Sequence, residues 1–279
     1  MTRSILVILS FVCGATVYGN CQSAVLTDYQ TYTYGSYIAG IVPYGAAARH
    51  DIEGTNYTES LTHFSGESFP NNSLMTWQWP ALQSGQSAVG SYIQICYGDY
   101  DYTVPQTPIT PEPVGNIATL TETHNFSLGG TLSGFDVIDD LFLTSQGTQG
   151  AEDGIQTHEI EIFLHSPQAV QAYVLGNDDP NVVQLGTFTG SGITWVVAKD
   201  TGATPTNIVF MPQNLQDVSN QTVDIGAMLH YLANNNVIAD TEWFNGFSIG
   251  VEVEQEGGSA LFNSFAVSYD EYETFPSSL

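Results

Sequence analysis

The stretch His158–Ser166 reads HEIEIFLHS, and its residue types alternate with the period of a β-strand. His158, Ile160, Ile162 and Leu164 fall on one face; Glu159, Glu161 and Phe163 fall on the other. The first face can seal a core. The second presents two carboxylates about 7 Å apart along the strand, beside an aromatic ring. The stretch GVEVEQEGG repeats the arrangement, with Val251 and Val253 opposed to Glu252, Glu254 and Glu256. Two such strands can floor an acidic groove. Paired carboxylates across a groove can hydrolyse a glycosidic bond: one stays ionised and attacks the anomeric carbon or activates water, and the other donates a proton to the leaving oxygen. Glu159 and Glu256 are the expected pair, because they sit on different strands near the ends of the two acidic faces.

Other residues have plainer readings beside the chemical ones. Glu161 and Glu254 also fit solvated strand positions, Asp140 a turn cap, and Trp77 and Trp79 packing positions. His158 lies on the apolar side and is expected as a satisfied interior histidine. The six histidines show no HExxH spacing, and no EF-hand loop, nucleophile elbow or phosphate-binding glycine loop is present, so no metal and no cofactor are expected.

The elements that must position these carboxylates are almost all strands. TYTYGSYIAGIVPYG (31–45), LMTWQW (74–79) and SYIQIC (91–96) are β-rich with glycine punctuation. Four prolines between Tyr97 and Val114 exclude a central strand or helix there and read as a long surface loop. Strands are predicted at 118–128, 135–143, 159–164, 170–175, 182–188, 193–198, 207–211, 247–254 and 261–269. The period changes once. In DIGAMLHYLAN, Ile225, Met228, Leu229 and Leu232 make a helical stripe, with Asp224 as N-cap and the asparagines at 234–236 as stop. About a dozen short strands and one helix predict an all-β jelly-roll sandwich of two curved antiparallel sheets with a concave cleft. No repeat or composition shift divides residues 20–279, which read as a single domain.

Composition narrows the partner. The formal charge is −26, from 29 acids against Arg3, Arg49 and Lys199. Nucleic acid and anionic membranes are excluded as partners, because phosphate binding needs lysine and arginine; acidic polysaccharides would be repelled too. A neutral ligand is the easier fit, and a monomer is expected. Met1–Gly19 reads as a secretory signal peptide, with Arg3, the apolar run ILVILSFV and a small-residue cleavage pattern. The run is too short to span a membrane. Secretion makes Cys21 and Cys96 candidates for a disulfide, and sequons at Asn56, Asn71, Asn125 and Asn220 fit a glycoprotein.

HEIEIFL resembles the nucleophile strand of glycoside hydrolase family 12, whose pattern is Glu-(Ile/Leu)-Met-(Ile/Val)-Trp-Leu. IVPYG (41–45) stands where that family has Asn-Asn-Leu-Trp-Gly, TWQW (76–79) resembles its Thr-Trp-Ser-Trp, and VIDDLFL (137–143) its Ala-Tyr-Asp strand. HYLANNNVI resembles its single helix, and VEVEQEGGSA (251–260) its acid/base segment. The resemblance implies a jelly roll that cleaves a neutral β-1,4-glucan or xyloglucan with retention. It casts Glu159 as nucleophile, Glu256 as acid/base and Asp140 as the assisting aspartate. It casts Tyr44, Tyr29, Glu161, Phe163, Trp77 and Trp79 as substrate-binding residues.

The departures carry expectations of their own. Glu161 replaces the family's methionine and puts a like charge beside Glu159, so activity is expected at acidic pH, where Glu161 is neutral. Val42, Tyr44, Tyr29, Phe163 and Gly257 replace an asparagine, three tryptophans and a proline. The same departures also fit an inactive relative that binds glucan or is recognised by a host.

Overall fold

Residues 23–84, 86, 88–100, 109–147, 155–176 and 179–271 are described by a computed structural model; Met1–Gly19 and Cys21 lie outside this set. The first elements are β1 (Ser23–Leu26), β2 (Thr31–Tyr34), β3 (Tyr37–Val42), α1 (Ala46–Arg49), β4 (Thr58–Phe64), β5 (Ser73–Trp79) and β6 (Ser91–Gly98). Then follow β7 (Glu112–Pro113), β8 (Ile117–Gly130), β9 (Phe135–Thr144), β10 (Gln156–His165), α2 (Gln168–Val174), β11 (Val182–Gly190), β12 (Ile193–Asp200) and β13 (Thr206–Pro212). The last are β14 (Asn220–Asp224), α3 (Ile225–Asn234), β15 (Trp243–Phe244), β16 (Gly246–Val253) and β17 (Glu256–Glu271).

Period-two alternation folds these strands into two sheets. The smaller has the order β1-β4-β5-β17-β8-β14; the larger runs β11-β12-β13-β10-β9-β16-β6-β3-β2, with β15 and β7 beside β9. One apolar cluster fills the space between them. Ile160, Ile162 and Leu164 of β10, Val137 and Leu141 of β9, and Val251 and Val253 of β16 are all buried in it. Each buried aliphatic side chain of this kind contributes about 1.5–3 kcal/mol. Because neighbouring side chains on a strand point to opposite faces, this burial forces Glu159, Glu161, Asp140 and Glu252 to the other face of the larger sheet. His158 is half-buried and satisfied, its Nδ1 lying 2.8 Å from Glu242 Oε2.

Helix α3 forms where the 3.6-residue stripe predicts it. Ile225, Met228, Leu229 and Leu232 are buried, and the Asp224 carboxylate accepts a hydrogen bond from the Ala227 N–H at 2.9 Å. Two expectations are corrected. The segment 170–175 is helix α2 rather than a strand: Pro167 sits at its N-cap, Gln and Ala favour its turns, and Gly176, with φ of 70°, ends it. Three helices are therefore present among the described residues where one was expected. The larger sheet is also not wholly antiparallel, since β10 and β13 run parallel, with Glu159 opposite Asn207. A crossover through α2 and the β11–β12 hairpin makes this possible.

The core contains a polar chain that the sequence reading passed over. Glu122, His124 and Asp139 are wholly buried between the sheets. His124 Nε2 donates to the Val218 carbonyl at 2.5 Å, so its Nδ1, 2.8 Å from Glu122 Oε1, must accept. Burial lowers the His124 pKa, which keeps the ring neutral in this tautomer. Glu122 is then the donor and must carry a proton. Burial raises its pKa well above the carboxylate range, and Asp139 is raised the same way by burial and by Glu122. The chain reads Glu122 O–H to His124 and His124 N–H to Val218, with Asp139 buried beside Glu122.

Both carboxyls hold protons that the unfolded chain releases above about pH 4, so their stabilisation is complete below that and declines as pH rises toward their folded-state values. His124 acts oppositely: its contribution is present above about pH 6.5 and is lost as pH falls through its folded value. Two protons outweigh one. The melting temperature should therefore be higher at pH 5 than at pH 8. Glu122→Gln, which keeps a donor without an ionisable proton, should narrow that gap by a few degrees. A scanning-calorimetry series in which stability rises between pH 5 and 8 would contradict the assignment.

Candidate active site

The carboxylates gather at the middle of the larger sheet, on the face turned from the smaller one. Glu161 of β10 stands directly opposite Asp140 of β9, and Asp140 is opposite Ser248 of β16. One side along, Glu252 of β16 pairs with Asp136 of β9 and with Tyr92 of β6. Glu159, Glu161 and Glu252 are half-buried, whereas Asp136 and Asp140 are buried. The floor beneath them is a second apolar cluster that includes Ile38, Tyr92, Ile138, Phe163 and Met211, with Val174 of α2 packed on it.

Hydrogen bonds fix the walls. Tyr44, in the turn after β3, exposes 52% of its surface, yet its hydroxyl reaches in to donate to Glu252 Oε1 at 2.9 Å. Tyr100 donates to Asp140 Oδ2. Ser248 donates to the Tyr92 hydroxyl at 2.9 Å. Asn207 of β13 bonds Glu161.

Crowding sets the protonation states. Burial pushes Glu252 up to about 7; the Tyr44 hydrogen bond pulls it down, while Glu159 and Glu254 raise it further. Burial, then Glu159, then Glu161 hold Asp140 well above the carboxylate range, against the Tyr100 bond. Glu161 is raised by burial, Glu159 and Glu252, and Asp136 by burial, Glu252, Glu254 and Glu161. Glu159 is thus the charge that three neighbours share. Like carboxylates this close cannot all ionise, and an environment that drives two of them apart in pKa makes one an acid and the other a base or nucleophile.

The sequence reading places Glu159, Glu161, Asp140 and Tyr44 at this site, and the structure brings these four together. Glu256, Trp77, Trp79 and Tyr29 lie elsewhere, and Phe163 lies beneath. Glu256 opens β17 in the opposite sheet, paired with Trp79 in a left-handed backbone conformation (φ 64°). β16 ends at Val253, and the chain crosses between sheets, so the alternation cannot be carried from Glu252 to Glu256. Glu252 is instead the β16 glutamate on the face that carries Glu159, two strands from β10 and paired with Asp136. Trp77 and Trp79 point into the core: Trp77 lies edge-on to Phe135, and Trp79 stacks on Tyr57 at 4.1 Å and donates to Glu59. Phe163 shares the carboxylate face but is buried in its apolar floor. Tyr29 is 72% exposed in the turn between β1 and β2, at the sheet edge.

Glu252 was visible in GVEVE, but no residue type there marks the crossover at 254–255, since the Gly257-Gly258 pair already lies inside β17. Asp136, Asn207, Tyr92 and Tyr100 had no motif, because only the sheet register assembles them. A separate hollow lined by Thr194, Gln213, Asp217 and Gln221 contains no glutamate. No cluster suited to a metal ion occurs among the described residues.

No known family model and no curated protein matches the chain. Solved structures do. A family 12 xyloglucanase from Bacillus licheniformis in complex with ligand is 19% identical over 89% of this chain and 100% of its own, with a TM-score of 0.67. Trichoderma harzianum endoglucanase 3 is 20% identical over 91% and 100%, at 0.66. The catalytic domain of Humicola grisea Cel12A, in complex with a soaked thio cellotetraose, is 14% identical over 88% and 99%, at 0.68. At such identity the likeness speaks for architecture, and the chain has the two-sheet jelly-roll fold of the family 12 glycoside hydrolases.

Proposed function

We propose that this protein is a secreted glycoside hydrolase that cleaves β-1,4-linked glucan with retention of configuration. One observation carries the reading: Glu159 and Glu252, on different strands, share one face of the larger sheet with three further carboxyls, and Glu252 is pushed up to about 7 by burial first and then by Glu159 and Glu254. The jelly-roll architecture supports it, as does the signal-like Met1–Gly19 for export. Among the described residues no helix is long and apolar enough to cross a membrane.

Glu159 attacks the anomeric carbon while Glu252 gives its proton to the leaving oxygen, so the C1–O bond breaks as a glycosyl–Glu159 ester forms. Water, deprotonated by Glu252, then attacks the same carbon and releases Glu159. Retention asks for about 5–5.5 Å between the two carboxyls. Asp140, held toward its protonated form by burial, Glu159 and Glu161, is oriented by the Tyr100 hydroxyl beside the nucleophile. Tyr44, half-exposed beside Glu252, offers a ring on which a sugar can stack.

The test is reducing-sugar release from barley β-glucan, hydroxyethylcellulose and xyloglucan. Glu159→Gln and Glu252→Gln should each lose activity by about 10²–10⁴-fold, and azide should restore turnover to Glu252→Gln as a β-glycosyl azide. A fully active Glu159→Gln protein would end the proposal. The pH profile has a definite sign. Glu252 must be protonated to act, so activity should fall as pH rises through about 7. Tyr44→Phe keeps the ring but removes the bond that holds Glu252 down, and should move that limb upward by about half a pH unit or more. A downward move would show that another group sets the limb.

A further inference from the structure

Two of the five carboxylates on the cleft face have no part in the double displacement. Asp136 and Glu161 are surplus to a nucleophile, an acid and an assisting aspartate. Nothing basic compensates them. Of the three basic residues, Arg3 lies outside the described set. Arg49 donates to the backbone oxygens of Ala88 and Glu254, and Lys199 pairs with Ile208, on the face turned to the core.

A second observation is independent of the acids. Four side-chain oxygens here lack a hydrogen-bond partner: Asp136 Oδ1, Asp140 Oδ1, Asn207 Oδ1 and Gln94 Oε1. Their residues are 2%, 4%, 7% and 2% exposed. Asn207 gives its N–H to Glu161 and keeps its carbonyl oxygen open beside it. Gln94 lies on β6 opposite Gly250, on the same face as Tyr92 and Glu252. Buried acceptors without donors are unfavourable unless a ligand supplies the donors. The amide oxygens of Asn207 and Gln94 can only accept, and the carboxyl oxygens of Asp136 and Asp140 accept once ionised, so the missing group carries N–H or O–H donors and, to meet ionised carboxylates, a positive charge. An ammonium meets both needs with three donors on one cation; a hydroxyl meets only the first.

Resting on the reading of this face as a saccharide cleft, we propose that it is selective for a β-1,4-linked glucan whose sugars carry free amines, with Glu161 and Asp136, backed by Asn207 and Gln94, receiving the ammonium groups. A formal charge of −26 draws such a polycation toward the protein from solution. Composition argued only against an anionic ligand; the cleft asks for a cationic one. A consequence separates the two. Carboxyls kept protonated by mutual repulsion ionise when a cation docks among them, so binding an amino-glucan releases protons to the buffer, and binding a neutral glucan does not.

The experiment uses the whole mature protein as Glu159→Gln, titrated calorimetrically at pH 6 with β-1,4-linked glucosamine tetramer and with cellotetraose, in two buffers of different ionisation enthalpy. The glucosamine tetramer should bind at least tenfold tighter, weaken with salt and release protons. Adding Glu161→Gln should cut the preference about tenfold. In parallel, the unsubstituted protein is assayed on chitosan and on barley β-glucan. Cleavage of β-glucan with no preference for the amine-bearing tetramer overturns the inference and leaves the hydrolase reading standing. Preferential, proton-releasing binding without hydrolysis of either polymer upholds the ligand class and overturns the hydrolase reading. A folded protein that neither binds nor cleaves overturns both.

Discussion

Confinement of like charges is the constraint on which this structure turns. Five carboxylates share a face of the larger sheet in which Asp136 and Asp140 are buried and Glu159, Glu161 and Glu252 are half-buried. In water such a set would ionise fully; here desolvation makes each additional charge costly, and the set settles with some members protonated. The result is a division of labour that needs no special residue type. Burial raises Asp140, Glu161 and Glu252, Glu159 raises all three further, and the Tyr44 hydroxyl pulls Glu252 back down. A tyrosine on the cleft wall thus opposes the burial that pushes Glu252 up to about 7.

Holding charges together requires a scaffold that resists their repulsion, and β9, β10 and β16 supply it by the opposite face of the same strands. Ile160, Ile162, Val137, Leu141, Val251 and Val253 are locked into the core between the sheets. A one-residue slip of any of these strands would bury a glutamate and expose an isoleucine or valine, which fixes the register that sets Glu161 against Asp140. The apolar alternation is what aims the acids.

That dependence explains what could be read from the chain and what could not. Glu159, Glu161 and Asp140 were legible because each lies inside a strand whose alternation continues past it on both sides. Helix α3 was legible for the same reason at a different period, with Asp224 as its cap. Glu256 misled because alternation says nothing about where a strand ends, and β16 ends three residues earlier. Trp77 and Trp79 alternate as a cleft platform would, but period two names two faces without saying which one meets the other sheet. Phe163 failed differently: it is on the expected face, and α2, itself mistaken for a strand, helps cover the apolar floor that buries it. Asn207, Tyr100 and Asp136 come from separate strands and loops, and only pairing across the sheet makes them neighbours.

Asp139 and Asp140 show how far one strand can separate two electrostatic environments. Adjacent in β9, they project to opposite faces; both are buried and both are pushed toward the protonated form. Asp139 lies beside a neutral chain in which Glu122 donates to His124 and His124 to the Val218 carbonyl, so the ring tautomer is determined. Asp140 faces Glu159 and Glu161, where acceptors outnumber donors and one of its own oxygens is left open. The first arrangement is closed inside the core between the sheets and therefore structural. The second lies on the carboxylate face away from the smaller sheet, and a buried site short of donors is stable only to the extent that the surrounding core can carry its cost until a ligand arrives. The core-facing strands contribute that surplus, which is why the carboxylate face can remain poorly satisfied while the fold stays intact.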